Sequence, residues 1–150
     1  MISVSSNIDP MVILLAEDDE DDYLFFKEAT NECSTNVDLR WVKNGEEALN
    51  YLLRRNSFKD PELSPTPKLI FLDIKMPVKS GLDVVPEVKQ NPMTNKIPVI
   101  MVTTSNNERD VIKAYENGAN SYINKPQGID QLQEFKNIIK NFWSPLVLFP

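Results

Sequence analysis

Five short apolar runs recur along the chain, each followed by a stretch in which apolar positions return every three or four residues. The runs cover residues 12–16, 37–42, 68–72, 99–102 and 121–124. Several are continuously apolar rather than alternating, the pattern of strands buried on both faces. The intervening periodicity predicts helices over 21–32, 45–55, 83–89, 108–117 and 129–142. In the last of these Ile129, Leu132, Phe135, Ile138, Ile139 and Phe142 line up as one stripe, which should pack flat on the sheet. Strict alternation of strand and helix predicts an α/β fold, a doubly wound parallel sheet with helices on both faces, because right-handed crossovers place them there.

Punctuation along the chain agrees with this division. Asn44-Gly45 marks the turn after the second strand, and Gly118 stands where a left-handed stop would end the fourth helix. Pro86 removes a backbone donor inside the third helix, which predicts a delayed or bent start there. Residues 56–67, with Pro61, Pro65 and Pro67, read as a long exposed loop without regular structure.

Length and charge narrow the picture. A chain of 150 residues suits one domain, here divided into a flexible tail over 1–11, the domain over 12–143 and an apolar tail over 144–150. A net charge of −6 disfavours a phosphate-backbone partner, so no nucleic-acid contact is expected. Cys33 is the single cysteine, which excludes an internal disulfide and reads as a small core or edge residue. No apolar stretch reaches membrane-spanning length and Met1 to Pro10 lacks a signal-peptide pattern, so no membrane contact and a cytoplasmic location are expected. Histidine is absent, which removes the commonest general base and metal ligand.

The remaining chemistry gathers at strand ends. Glu17-Asp18-Asp19 closes the first run, Asp73 the third, Thr103 the fourth and Lys125-Pro126 the fifth. A parallel sheet brings those carboxyl ends to one rim, where open α/β sheets keep their chemistry. Each residue alone has a plainer reading: the six acids over 17–22 suit a helix start through the macrodipole, Asp73 could cap its turn, Lys125 could be a surface lysine, and Thr103-Thr104-Ser105 could cap the next helix. Their coincidence favours a site. Crowded carboxylates repel one another, a hard divalent cation such as Mg2+ relieves them, and Lys125 supplies a second positive charge while Asp73 attacks a phosphoryl donor.

Taken together these residues resemble the receiver domain of two-component response regulators, of the single-domain CheY-like kind, from about residue 12 to residue 142. The resemblance implies strand order 2-1-3-4-5 and a phosphoacceptor that takes a phosphoryl group from a sensor histidine kinase. It implies Asp73 as phosphoacceptor, Asp18 as direct Mg2+ ligand, Glu17 as an acid acting mainly through water, and the backbone carbonyl of Lys75 as a further ligand. Thr103 is similar to the hydroxyl that bonds the phosphoryl group, Tyr122 to the aromatic switch residue, Lys125 to the family's lysine, and Pro126 to its partner, commonly in a cis peptide. Lys75 and Ser105 occupy two variable positions that bear on how long the phosphate survives.

The lengthened loop before the third strand, Thr103-Thr104-Ser105 and the Phe142-Trp143 ending resemble regulators that pair with bacterial phytochromes and similar sensor kinases. With no output domain expected after the receiver, the signal is expected to leave through the face of helix four, strand five and helix five toward a downstream protein. That face and the tail with Leu146, Val147, Leu148 and Phe149 are also the surfaces expected to serve a homodimer. Two alternatives are a pseudo-receiver that only binds partners and an aspartate-nucleophile phosphatase. The second lacks its usual acid two residues after the nucleophile, where Lys75 stands.

Overall fold

Residues 10–32, 36–126 and 129–141 are described by a computed structural model. Strands β1 (Met11–Ala16), β2 (Val37–Val42), β3 (Leu69–Leu72), β4 (Val99–Thr103) and β5 (Ser121–Asn124) alternate with helices α1 (Glu20–Asn31), α2 (Gly45–Leu52), α3 (Gly81–Gln90), α4 (Glu108–Glu116) and α5 (Ile129–Asn141). The strands form one parallel sheet in the order β2-β1-β3-β4-β5. That order puts β1 and β3 side by side at the centre, with Ala16 opposite Leu72 and their following residues at one edge.

Period-two alternation divides the core into two layers. Leu14, Ala16, Ile70, Leu72, Val99 and Met101 face α2, α3 and α4, where Leu49, Val84, Val85, Val88 and Ala114 meet them. Ile13, Leu15, Phe71, Ile100 and Val102 face the opposite way, onto Phe26 and Ala29 of α1 and Phe135 and Ile139 of α5. Each such large side chain contributes about 1.5–3 kcal/mol by leaving water. The stripe on α5 is narrower than its sequence suggests, since Ile138 is 37% exposed.

Four helices begin on polar caps in the loops that follow the strands. Asp19 accepts from the Asp21 and Asp22 N–H groups, Asn44 from Glu47, Ser80 from Leu82 and Asn107 from Arg109. Each cap contributes about 1 kcal/mol and anchors one loop of the site rim.

Two expectations are corrected here. The third helix starts at Gly81, not late, and carries Pro86 inside it. The carbonyl that Pro86 leaves without its helical donor is that of Leu82, and Asn117 Nδ2 donates to it at 3.4 Å. Residue 81 must be glycine for the first turn to close, because a Cβ there would collide with the Asp73 carbonyl oxygen. The loop over 56–67 is likewise not free of structure: it opens with a 3-10 turn at Asn56–Phe58 and is then laced to the domain. Arg40 donates to Leu63 O at 2.8 Å, Tyr51 to Pro65 O at 2.7 Å and Arg54 to Ser64 O at 3.1 Å. Side chains supply the donors that a proline-rich backbone lacks.

Helix α2 ends at Leu52 rather than at residue 55, since Arg54 and Asn56 adopt φ of 57° and 55°. Gly118, at φ 109°, is the left-handed stop that the sequence predicts. Cys33, Phe142-Trp143, the tail over 144–150 and the first nine residues lie outside the described residues. Among the described residues no helix is long and apolar enough to cross a membrane.

Val78, in the β3–α3 loop, holds φ at 68° while 78% exposed. A β-branched residue there sits against its own backbone, at a cost of about 1–2 kcal/mol. Val78→Asn, which tolerates that conformation and gives up little packing, is expected to stabilise the fold by about 1 kcal/mol. A urea midpoint no higher than that of the parent would contradict it.

Candidate functional site

The rim of the sheet is built by backbone bonds that carry one strand end to the next. Asp73 N donates to Ala16 O at 3.1 Å, Glu17 N to Val42 O at 3.0 Å and Lys125 N to Thr103 O at 2.8 Å. These bonds bring Glu17, Asp18, Asp73, Thr103 and Lys125 to the one edge where the sequence places them. One carboxylate oxygen from each of Glu17, Asp18 and Asp73 lies within 4.8 Å of the others. Glu17 and Asp73 are buried, at 1% and 5% exposure, whereas Asp18 is open to solvent.

Lys125 crosses the cluster with a buried ammonium. Its Nζ lies 2.6 Å from Glu17 Oε2, 2.9 Å from Asp73 Oδ2 and 2.8 Å from Asp22 Oδ2. Asp22 escaped the sequence reading, which took the acids over 17–22 as suiting a helix start and gave cation roles to Glu17 and Asp18 alone. The run in fact divides: Asp19 caps α1, Glu20 and Asp21 stand exposed in its first turn, and Asp22 turns back onto Lys125. Its partner stands 103 residues along the chain, so no local spacing marks it.

The charges act on one another strongly. Burial pushes the Glu17 carboxyl up to about 7, against the hydrogen bond from Lys125, and the Asp73 charge adds to the rise. Burial pulls the Lys125 ammonium down, but its bonds to Asp22 and Glu17 and the charge of Asp73 outweigh that, so its net shift is upward. One ammonium shared among three carboxylates leaves Glu17 undercompensated.

In the folded protein without divalent cation, Glu17 therefore keeps a proton between its ordinary 4.5 and about 7, where the unfolded chain has released it. This contribution to stability is complete below the lower value and lost as pH rises through the upper one. Chemical unfolding in a chelator should show stability falling by about 2 kcal/mol between roughly pH 5.5 and pH 8. A rise over that window would show that the carboxyl is not held protonated.

The hydroxyl side of the rim is a short relay. Thr103 is fully buried and its Oγ1 accepts the Ser105 N–H at 3.3 Å. Ser105 Oγ donates to Asp110 at 2.6 Å, and the Tyr122 hydroxyl donates to the Ser105 carbonyl at 2.8 Å. Lys75 N–H reaches Asp73 Oδ1 at 3.4 Å, while Ser80 and Gly81 tie the loop back to the Ile74 carbonyl. Pro126 follows Lys125 through a trans peptide, since no cis bond occurs among the described residues. This corrects the cis form implied by the resemblance and matches the usual preference of an X–Pro bond, worth about 0.5–1 kcal/mol.

The donor set fits a hard divalent cation. Its ligand atoms are carboxylate oxygens, one carboxylate faces solvent, and the single ammonium leaves an excess of negative charge. Residues 13–136 match the response regulator receiver domain family.

The chain belongs to that family.

Its relatives agree along nearly the whole length. The response regulator Rcp1 of Synechocystis sp. is 36% identical over 141 residues, covering 94% of this chain and 94% of that protein. The crystal structure of the phosphorylated cyanobacterial phytochrome response regulator RcpA superimposes with a TM-score of 0.87 at 31% identity, covering 95% of this chain and 99% of the other. The Mn2+-bound form of Rcp1 gives 0.87 at 37% identity, covering 94% and 99%. A receiver domain is the phosphoacceptor of a two-component pathway.

Proposed function

We propose that this receiver takes a phosphoryl group onto Asp73 with Mg2+ held by the acidic cluster, and that a sensor histidine kinase supplies it. The observation that carries this reading is the environment of Asp73: a buried carboxylate 2.9 Å from an ammonium and within 4.8 Å of two further acids. Asp18, Asp73 and the Lys75 carbonyl are assigned to the cation, with Glu17 acting through water. When bound, the cation supplies positive charge to the transferring phosphoryl oxygens.

The chain's own groups do the rest. Lys125 holds Asp73 Oδ2, so Oδ1 is the freer oxygen and attacks phosphorus. The bond to the donor nitrogen breaks and its electron pair returns to the imidazole. These 150 residues contain no histidine, so the phosphohistidine lies outside them. Lys125 and the Thr103 hydroxyl then bond the phosphoryl oxygens. Thr103 leaving the Ser105 N–H loosens the relay that ends on Tyr122. The exposed side chains Ile112 and Tyr115 on α4 and the groove of about 360 Å³ lined by Tyr122, Phe135 and Ile138 form the face that would report the change to a downstream protein. Coupling of this kind is typically about 1–3 kcal/mol, a shift of populations rather than a refolding.

The likeness to the cyanobacterial phytochrome response regulator RcpA favours a phytochrome-like kinase as donor, and the receiver is assigned to the cytoplasm. The protein is a phosphoacceptor that catalyses its own labelling and slow dephosphorylation, not a turnover enzyme. With Mg2+ and acetyl phosphate, intact mass should show one phosphoryl group, stable in acid and lost in base, and a fluorine label on Tyr122 should change its NMR signal in step. Sustained turnover of a small phosphate ester would favour a phosphatase instead. Failure to label in Mg2+ would favour a module that only binds partners.

A further inference from the structure

Trp41 lies on the outer strand of the sheet, yet its indole reaches the acidic turn. Strand β2 runs parallel to β1 with Trp41 opposite Leu15 and Val42 opposite Ala16, and the ladder continues as far as Glu17 N to Val42 O. The next rung of a parallel ladder would carry the Asn44 N–H to the Glu17 carbonyl. Asn44 has instead turned to cap α2, accepting from Glu47. The Trp41 indole Nε1 takes the place of that rung and donates to Glu17 O at 2.7 Å.

The ring is itself held. It stacks on Tyr23 of α1 with centroids 4.0 Å apart and planes within 5°, and Lys43 Nζ lies 5.0 Å from its centroid. Tyr23 belongs to the first turn of α1, its N–H bonded to Asp19 O. The indole is thus wedged between β2 and the helix that leaves the acidic turn, with its one donor aimed at the turn's carbonyl.

Glu17 needs little further help to stay in place. Its carboxylate takes the Asp19 N–H at 3.1 Å and the Lys125 ammonium at 2.6 Å. Asp18 differs, because its carboxylate is exposed and its aim is set by the backbone that carries it. The peptide joining Glu17 to Asp18 has its oxygen on the indole.

We propose that Trp41 is a positioning residue for the cation site: its N–H fixes the plane of the Glu17–Asp18 peptide and so the direction from which the Asp18 carboxylate enters the cluster. This rests on the reading of Asp18 as a cation ligand. Trp41→Phe keeps a ring for Tyr23 and removes the donor. Losing one neutral hydrogen bond of this kind weakens what depends on it by about fivefold.

The test is Mn2+ binding to the unphosphorylated full chain, read by electron paramagnetic resonance for the parent, Trp41→Phe and Asp18→Asn. The expected result is affinity lowered about fivefold in Trp41→Phe, with acetyl phosphate labelling at saturating Mn2+ close to that of the parent. Should Trp41→Phe fold poorly, benzothienylalanine at position 41 keeps the shape and stacking of the indole without its N–H. Parent-like Mn2+ affinity in these variants, with binding lost in Asp18→Asn, overturns the role of Trp41 and leaves the ligand reading intact. Slow labelling that saturating Mn2+ does not restore also overturns it. Parent-like affinity in Asp18→Asn removes the ligand reading and this inference with it.

Discussion

Asp73→Asn is expected to fold normally and to carry no phosphoryl group after treatment with acetyl phosphate and Mg2+, down to the detection limit of intact mass spectrometry. The amide fills the same volume at a position only 5% exposed, so packing is kept. What disappears is the nucleophilic oxygen, which an amide does not replace. Neighbouring carboxylates are poorly placed to substitute. Glu17 is 1% exposed with one oxygen against Lys125 at 2.6 Å and the other on the Asp19 N–H, and Asp22 points its Oδ2 at the same ammonium. The variant also loses one of the like charges that push the Glu17 carboxyl upward, so its stability in a chelator should depend less on pH than the parent's. Undiminished labelling of Asp73→Asn would move the phosphoacceptor to another residue.

The parts of the fold that local pattern controls were readable from the chain. Strand β3 and the first four positions of β4 are buried throughout and appear as unbroken apolar runs, and the left-handed stop at Gly118 follows from glycine chemistry alone. The rim was readable for the same reason: parallel strands share an edge, so residues just past the runs had to meet. What stayed hidden depends on partners far along the chain. Periodicity sees a proline in a helix and expects disruption, but not the Asn117 amide that serves the freed Leu82 carbonyl from 35 residues away. It sees prolines over 56–67 and expects an exposed loop, but not the guanidinium groups and phenol that take up its carbonyls. Trp41 read as one apolar residue of a strand because a pattern of apolar positions does not register an indole N–H. The Lys125 ammonium was placed correctly, yet its three carboxylate partners could not be ranked without distances.

Those distances change the outcome expected for Lys125→Ala. From the chain alone, the variant should keep its fold and its cation and lose only the response to phosphorylation. In the folded protein, however, the ammonium is the common counter-ion of Glu17, Asp22 and Asp73, and its side chain is 8% exposed. Deleting one partner of a buried ion pair typically costs about 3–5 kcal/mol, because the remaining charge is stranded. Asp22 is 41% exposed at its side chain and can turn to water, so the penalty falls on Glu17 and Asp73. Glu17 can escape by holding its proton, which makes the loss smaller in acid and larger as pH rises through about 7. A divalent cation replaces part of the missing charge and should recover part of the stability. Urea unfolding of Lys125→Ala in chelator should therefore show a deficit of about 3 kcal/mol near pH 8, smaller near pH 6 and smaller again in Mg2+. A deficit indifferent to both pH and Mg2+ would mean that Lys125 supports the rim by packing and not by charge.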